Sequence, residues 1–217
     1  YWQMAVLFYV LAALGFSGSN IFYDSLLPGV ASEKKVDYVS SLGFGMGYIG
    51  GGILFLLNVI MYLKPDFFGI PDGATAIRLS FVTVAVWWAV FSIPVVIWVK
   101  EPEIHESVGI VSAVSLGWKQ LRHTFKEIRH LKVVGTFLLA YWFYIDGVDT
   151  IVKMAVDYGV TLKFPDSALI TALLMVQFIA FPCALLFNLL SKKIGVKQSV
   201  MTGIIGYGII TFLAYFM

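Results

Sequence analysis

Long uncharged stretches, broken by short polar segments, set the pattern of this chain. Residues 42–63 hold no charged side chain, and neither do residues 79–99. A helix on the surface of a water-soluble domain shows a polar face along its length, which these stretches lack. A membrane helix needs about 20 mostly apolar residues to cross a hydrocarbon core about 30 Å thick. Six segments are predicted to meet that need. They are residues 4–27, closed by Pro28; 42–63, with Ser40 and Ser41 as N-caps; 76–99, interrupted by Pro94; 133 to about 152; 168–190, with a kink at Pro182; and a sixth that starts near Ser199 and runs to the end.

One connection is long. Residues 100–109 are acidic on balance and show no regular period. After them Val114, Trp118, Leu121, Phe125, Ile128 and Leu131 recur at helical spacing, while Lys119, Arg122, Lys126 and Arg129 fall off that stripe. This predicts an amphipathic basic helix, suited to a membrane surface or to packing on the bundle. The expected organisation is three spans in residues 1–99, a linker in 100–131, and three spans in 132–217.

Lysine and arginine counts orient the spans, because cytoplasmic loops are enriched in them. Eleven fall in one set of loops, around residues 30–38, 100–132 and 191–198; the other set holds Lys64, Arg78, Lys153 and Lys163. The first set is expected on the cytoplasmic side.

Composition agrees. The chain is 59% hydrophobic and 13% charged, with a mean hydropathy of +0.87, against about 45–50% and about 25% in soluble domains. The net charge of +2 and the absence of a basic run with interleaved aromatics argue against nucleic acid. Cys183 is the single cysteine, so no intramolecular disulfide forms, and it reads as a small buried apolar residue. His105, His123 and His130 have no metal-ligand spacing. The chain starts at Tyr1 within an apolar run and stops at Met217 within another, so both ends are expected to be truncations of a larger protein.

Ionisable residues inside membrane helices are costly and usually face a bundle interior or a cavity. Asp146, Asp149 and Lys153 are spaced three and four apart, on one face of the fourth span, with Tyr141 and Tyr144 nearby. Asn20 and Asp24 share a face of the first span. Asn58 and Gln177 are neutral polar residues suited to bonds between helices. Gly43, Gly47 and Gly51, four apart, form a small-residue face on which another helix can pack closely or slide. The run Gly45-Met46-Gly47-Tyr48-Ile49-Gly50 fits a dinucleotide fingerprint but lies inside a span with no strand before it, so a nucleotide site is rejected. No catalytic constellation is present, and neither enzyme activity, cofactor nor metal is expected.

Three runs carry a resemblance: Phe22-Tyr23-Asp24-Ser25-Leu26-Leu27-Pro28, Val39-Ser40-Ser41-Leu42-Gly43 and Gly47-Tyr48-Ile49-Gly50-Gly51-Gly52. Further matches are Arg78 before Phe81, Trp87-Trp88 with Pro94, and Tyr144-Ile145-Asp146-Gly147 with Thr150. In this order they resemble the autophagy-related vacuolar amino-acid effluxers and their bacterial relatives, within the major facilitator superfamily. The resemblance implies an all-α polytopic bundle of which this chain holds six of about twelve helices, the fourth to the ninth. It places the long loop between two six-helix halves, and Ser191 to Lys197 at the superfamily's basic gating loop, here without its usual aspartate. It implies alternating-access transport of a small solute, such as amino-acid efflux coupled to protons, across a bacterial inner membrane or a vacuole-type membrane. Asp146, Asp149, Tyr144, Lys153, Asn20 and Asp24 are the expected substrate or coupling residues. A sugar, drug or peptide carrier, and a non-transporting scaffold or receptor, remain open.

Overall fold

The computed structural model describes residues 2–99, 109–128 and 131–216. Among these there are seven α-helices, two 3-10 turns and no strand. The helices are α1 (Trp2–Val30), α2 (Val36–Leu63), α3 (Gly73–Trp98), α4 (Ile110–Ile128), α5 (Lys132–Thr161), α6 (Asp166–Ile194) and α7 (Val196–Ala214). The fold is therefore all-α. The acidic start of the linker, with His105, and the pair Arg129 and His130 lie outside the described residues.

Among the described residues, five helices are long and apolar enough by themselves to cross a membrane, α1, α2 with the 3-10 turn before it, α3, α6 and α7, and the bent pair α4 and α5 meets the same measure when taken together. Helix α5 is long enough too, at 30 residues, but Asp146, Asp149, Lys153 and Asp157, from its middle onward, make it less apolar. The protein is a multi-pass integral membrane protein.

Several helix boundaries differ from the sequence expectation. Helix α1 continues through Pro28 to Val30. Proline in a last turn forfeits only the bond to the carbonyl four residues back, here Asp24, and its fixed φ suits a helix. Ser40 and Ser41 are not N-caps, because α2 already starts at Val36. The Ser41 hydroxyl instead donates to the Asp37 carbonyl at 2.8 Å, as serines inside helices do. Helix α5 runs nine residues past Val152, to Thr161, with its last turns more polar than lipid requires. Helix α7 starts at Val196, directly after Gly195, whose φ of +90° is open to glycine without strain.

The chain divides into two compact units: Tyr1–Pro102 with Ile170–Ile194, and Glu103–Leu169 with Gly195–Met217. In the first unit the Phe16 and Trp88 rings stack between α1 and α3, 5.6 Å apart. The Thr83 hydroxyl on α3 donates to the Asn58 side chain on α2 at 2.9 Å, so Asn58 does bond between helices. The α2–α3 corner is built from the 3-10 turn Pro65–Phe68 and Gly69, in the left-handed region at φ +68°. It buries Met61, Ile70 and Ala76 together. Asp72 caps α3, accepting from the Thr75 N–H at 2.7 Å.

Helix α6 joins this unit by packing antiparallel on α2. A Cβ added at Gly45 would sit 2.8 Å from the Phe181 ring, and one at Gly52 would sit 3.1 Å from Gln177 Cβ and 3.4 Å from the Phe178 ring. The Lys192 ammonium lies over the Tyr38 ring, 5.8 Å from its centre. The close approach therefore runs along Gly45 and Gly52 rather than along the expected stripe. A Cβ at Gly43 or Gly47 would meet nothing within 4 Å, and one at Gly51 would make only ordinary contact with the Gln177 amide. At 100° per residue, Gly45 and Gly52 fall on nearly the opposite side of α2 from Gly43 and Gly47. Cys183, expected to be buried, is exposed, because it lies on the side of α6 turned away from Gln177 and Phe181.

In the second unit α4 meets α5 at the Ile128–Gly135 contact. Leu131 N–H donates to the carbonyls of Glu127 and Ile128. Gly159, buried on α5, takes the Leu169 side chain from the start of α6. The Tyr158 hydroxyl donates to the Ala214 carbonyl at 2.7 Å, joining the C-terminal ends of α5 and α7.

Candidate functional site: the ionisable face of α5 and the α5–α7 groove

Helix α5 carries two different faces. Phe143, Tyr144, Gly147, Val148 and Ile151 recur at helical spacing and line one side of an open groove of about 790 Å³. The other side comes from α7, through Ile204, Tyr207, Gly208, Thr211, Phe212 and Tyr215. Glycines stand on both walls, Gly147 and Gly208. With no side chain at either position, the space between the helices stays open. The walls are almost wholly apolar, with polar tips from Tyr144, Tyr207, Thr211 and Tyr215. Such a surface suits the apolar part of a ligand or a lipid chain, with hydroxyls placed to orient it.

The opposite side of α5 is ionisable. Lys153 Nζ and Asp149 Oδ2 form an ion pair at 3.1 Å, one helical turn apart, with side chains 72% and 57% exposed. Asp146 lies on the same strip one turn before, also exposed. Its backbone carbonyl accepts from the Thr150 hydroxyl at 2.8 Å. Asp157 continues the row one turn beyond Lys153. A span ending at Val152, as hydropathy predicts, leaves Asp157 out; extending the three-and-four spacing by one more step finds it. The strip Asp146, Asp149, Lys153, Asp157 holds three acids and one base on a single face.

The sequence-predicted residues therefore fall into separate places. Asp146, Asp149 and Lys153 share the strip. Tyr144 faces the groove, where its ring meets Tyr141 edge-on at 5.4 Å. Asn20 and Asp24 are exposed on α1, in the other unit. Among the described residues, no three His, Cys, Asp or Glu side chains converge as metal ligands would.

Among the described residues outside the helices, Asp72 has its titration displaced. The Thr75 N–H hydrogen bond holds its carboxyl below the usual range, with smaller help from the Thr75 hydroxyl and Arg78 and some opposition from desolvation.

Comparison with known proteins gives one consistent result. The family model described as "Vacuole effluxer Atg22 like" matches residues 1–216. A Bacillus subtilis protein named as an uncharacterized MFS-type transporter, YxiO, is 38% identical over the whole chain, which covers 50% of that protein. Autophagy-related protein 22 of Yarrowia lipolytica is 29% identical over 66% of the chain and 28% of its own length. Autophagy-related protein 22-2 of Aspergillus clavatus is 30% identical over 61% of the chain and 22% of its own length. The chain thus spans half or less of the length of these relatives. No solved structure matches.

Proposed function

The chain belongs to the vacuole effluxer Atg22-like family, and on that premise we propose that it forms the middle of a secondary transporter that moves a small solute by alternating access. The observation that carries this reading is the ionisable strip of α5. A charged side chain at the centre of a membrane helix costs about 2.5–3.5 kcal/mol even on the mild insertion scale, and such groups persist where they face water or one another. Three acids and a lysine on one face are best explained by a water-filled path beside α5. Asp146, without an ion-pair partner of its own among the described residues, is the coupling acid. Asp149 and Lys153 neutralise each other, which leaves Asp146 and Asp157 as the unpaired acids of the strip among the described residues.

In this reading the α2–α6 contact is where the two sequence halves meet. Glycines on α2 against aromatic rings on α6 make a smooth, small-residue surface, on which a rocking motion breaks few bonds. The Lys-rich loops, including the segment that contains α4, face the cytoplasm. Amino acids are the proposed cargo, by likeness to the effluxers.

The test uses the complete protein in proteoliposomes with an imposed pH gradient. Asp146→Asn keeps size and hydrogen-bonding capacity but removes the charge. It is expected to abolish gradient-driven accumulation of labelled amino acids while leaving expression and insertion intact. Accumulation with unchanged pH dependence would remove Asp146 from the coupling step.

A further inference from the structure

Helix α4 presents an apolar face that its own unit leaves open. Val111, Val114, Trp118, Leu121 and Phe125 are all exposed, from 48% at Leu121 to 84% at Val111. At 100° per residue they fall within about a quarter of the helix circumference. Lys119, Arg122 and Lys126, also exposed, are spaced three and four apart and form a row along one flank of that face. The far side of α4 carries the exposed pair His123 and Glu127, 3.6 Å apart. The other flank holds the uncharged Gly117 and Thr124. Charge is thus placed at one edge of the apolar stripe, where the headgroup layer would lie.

Chain length fixes where this helix can be. Ile128 ends α4 and Lys132 begins α5, and a chain covers at most about 3.3–3.6 Å per residue. The end of α4 therefore stays within about 14 Å of the start of α5. Residues 133–145 of α5 carry no charge, so α5 enters the apolar layer almost at once. A helix tethered there, apolar on one face and basic along one edge, matches the membrane interface in both hydropathy and charge.

We infer that α4 lies in the interface with its apolar face in the acyl boundary, and that Lys119, Arg122 and Lys126 bind the phosphates of anionic phospholipids. Trp118 sits at the headgroup level, where its amphipathic ring is favoured. At the usual contribution of a basic residue near an anionic surface, losing all three shifts the helix from docked to undocked by on the order of a hundredfold. The inference needs α5 to cross the membrane but makes no use of transport, so it stands or falls separately from the coupling role of Asp146.

The test uses the complete protein with Cys183→Ala and any other native cysteine replaced, a single cysteine at Phe125→Cys, and an environment-sensitive dye. A second protein carries the dye at Gln120→Cys, on the opposite side of α4. Both are reconstituted into vesicles of phosphatidylcholine alone or with phosphatidylglycerol. In the anionic vesicles, nitroxides in the acyl chains should quench the dye at 125, and aqueous iodide should quench the dye at 120. Quenching at 125 by the nitroxides should be lost in phosphatidylcholine alone, and in the triple variant Lys119→Gln, Arg122→Gln, Lys126→Gln. Iodide quenching at 125 in every vesicle would show a solvated helix and overturn the inference. Shielding at 125 from both quenchers would show that protein covers the face, with the same consequence. Nitroxide quenching that ignores lipid charge and the triple variant would overturn the phosphate contact.

Discussion

Asn58 on α2 and Asp149 on α5 are both polar residues within long apolar helices, but their partners differ. Asn58 accepts a hydrogen bond from Thr83 of another helix, whereas Asp149 pairs with Lys153 of its own helix. The first unit repeats the pattern of Asn58: its α2 meets α3 through a polar bond and α6 through glycines and rings. In the second unit, the ionisable residues in the middle and later turns of α5 lie on one outward strip, and an open groove borders the other side of the same helix. Bonds between helices lock neighbours together and suit a framework. Charges paired only within one helix leave that face of the helix open, even where the helix is bonded elsewhere, as α5 is to α7 through Tyr158. The same apolar composition thus supports a region tied by polar bonds between helices and one whose charges face outward, and the partners of the polar groups distinguish them.

The packed character of the first unit is tested most severely at its glycines. Gly45→Leu and Gly52→Leu should each destabilise by about 1–3 kcal/mol or more, as overpacking does, seen as a lower melting temperature and poor yield in detergent. Gly47→Leu, facing open space, should melt close to the parent protein. Equal damage at Gly45 and Gly47 would erase the distinction between the two faces of α2.

A smaller effect is expected at the polar bond. In a double-mutant cycle of Asn58→Ala and Thr83→Ala, the coupling should be about 0.6 kcal/mol, the average for such bonds in membrane proteins. Zero coupling would mean that α2 and α3 are held by apolar contact alone.

The second unit is probed through Lys153→Met. With both partners more than half exposed, the pair should contribute only about 0.3–0.5 kcal/mol. A loss of several kcal/mol would instead mean that Asp149 is left facing lipid, and the strip would not border water.

The smallest expected effect is at the cap of α3. Asp72 titrates below its ordinary value because Thr75 donates to its charged form. A group with a depressed folded pKa stabilises above its unfolded pKa and loses that contribution as pH falls through the folded value. Stability of the parent should therefore fall slightly more than that of Asp72→Asn between neutral pH and the acid side of the carboxylate range. Parallel pH profiles of the melting temperature would show that the cap carries no charge dependence.

Most of the architecture is legible in the amino-acid sequence. Hydropathy is a sum over residues, so the apolar runs alone place the membrane helices, and a run that must cross lipid can only be a helix. The face of α4 and the row Asp146, Asp149, Lys153 follow from the helical period, which is local. Boundaries are less legible, because Pro28 and the serines of α2 are compatible with both a helix interior and its end. The tertiary structure decides what depends on a second helix. Helix α2 carries glycines on both sides, and regular spacing favours Gly43, Gly47 and Gly51. Close packing goes to Gly45 and Gly52, since it depends on which way α6 approaches and which rings it brings. The same holds for the partner of Asn58 and for the groove between α5 and α7. Transfer into lipid is a property of each helix, whereas contact is a property of a pair, and only the fold chooses the pairs.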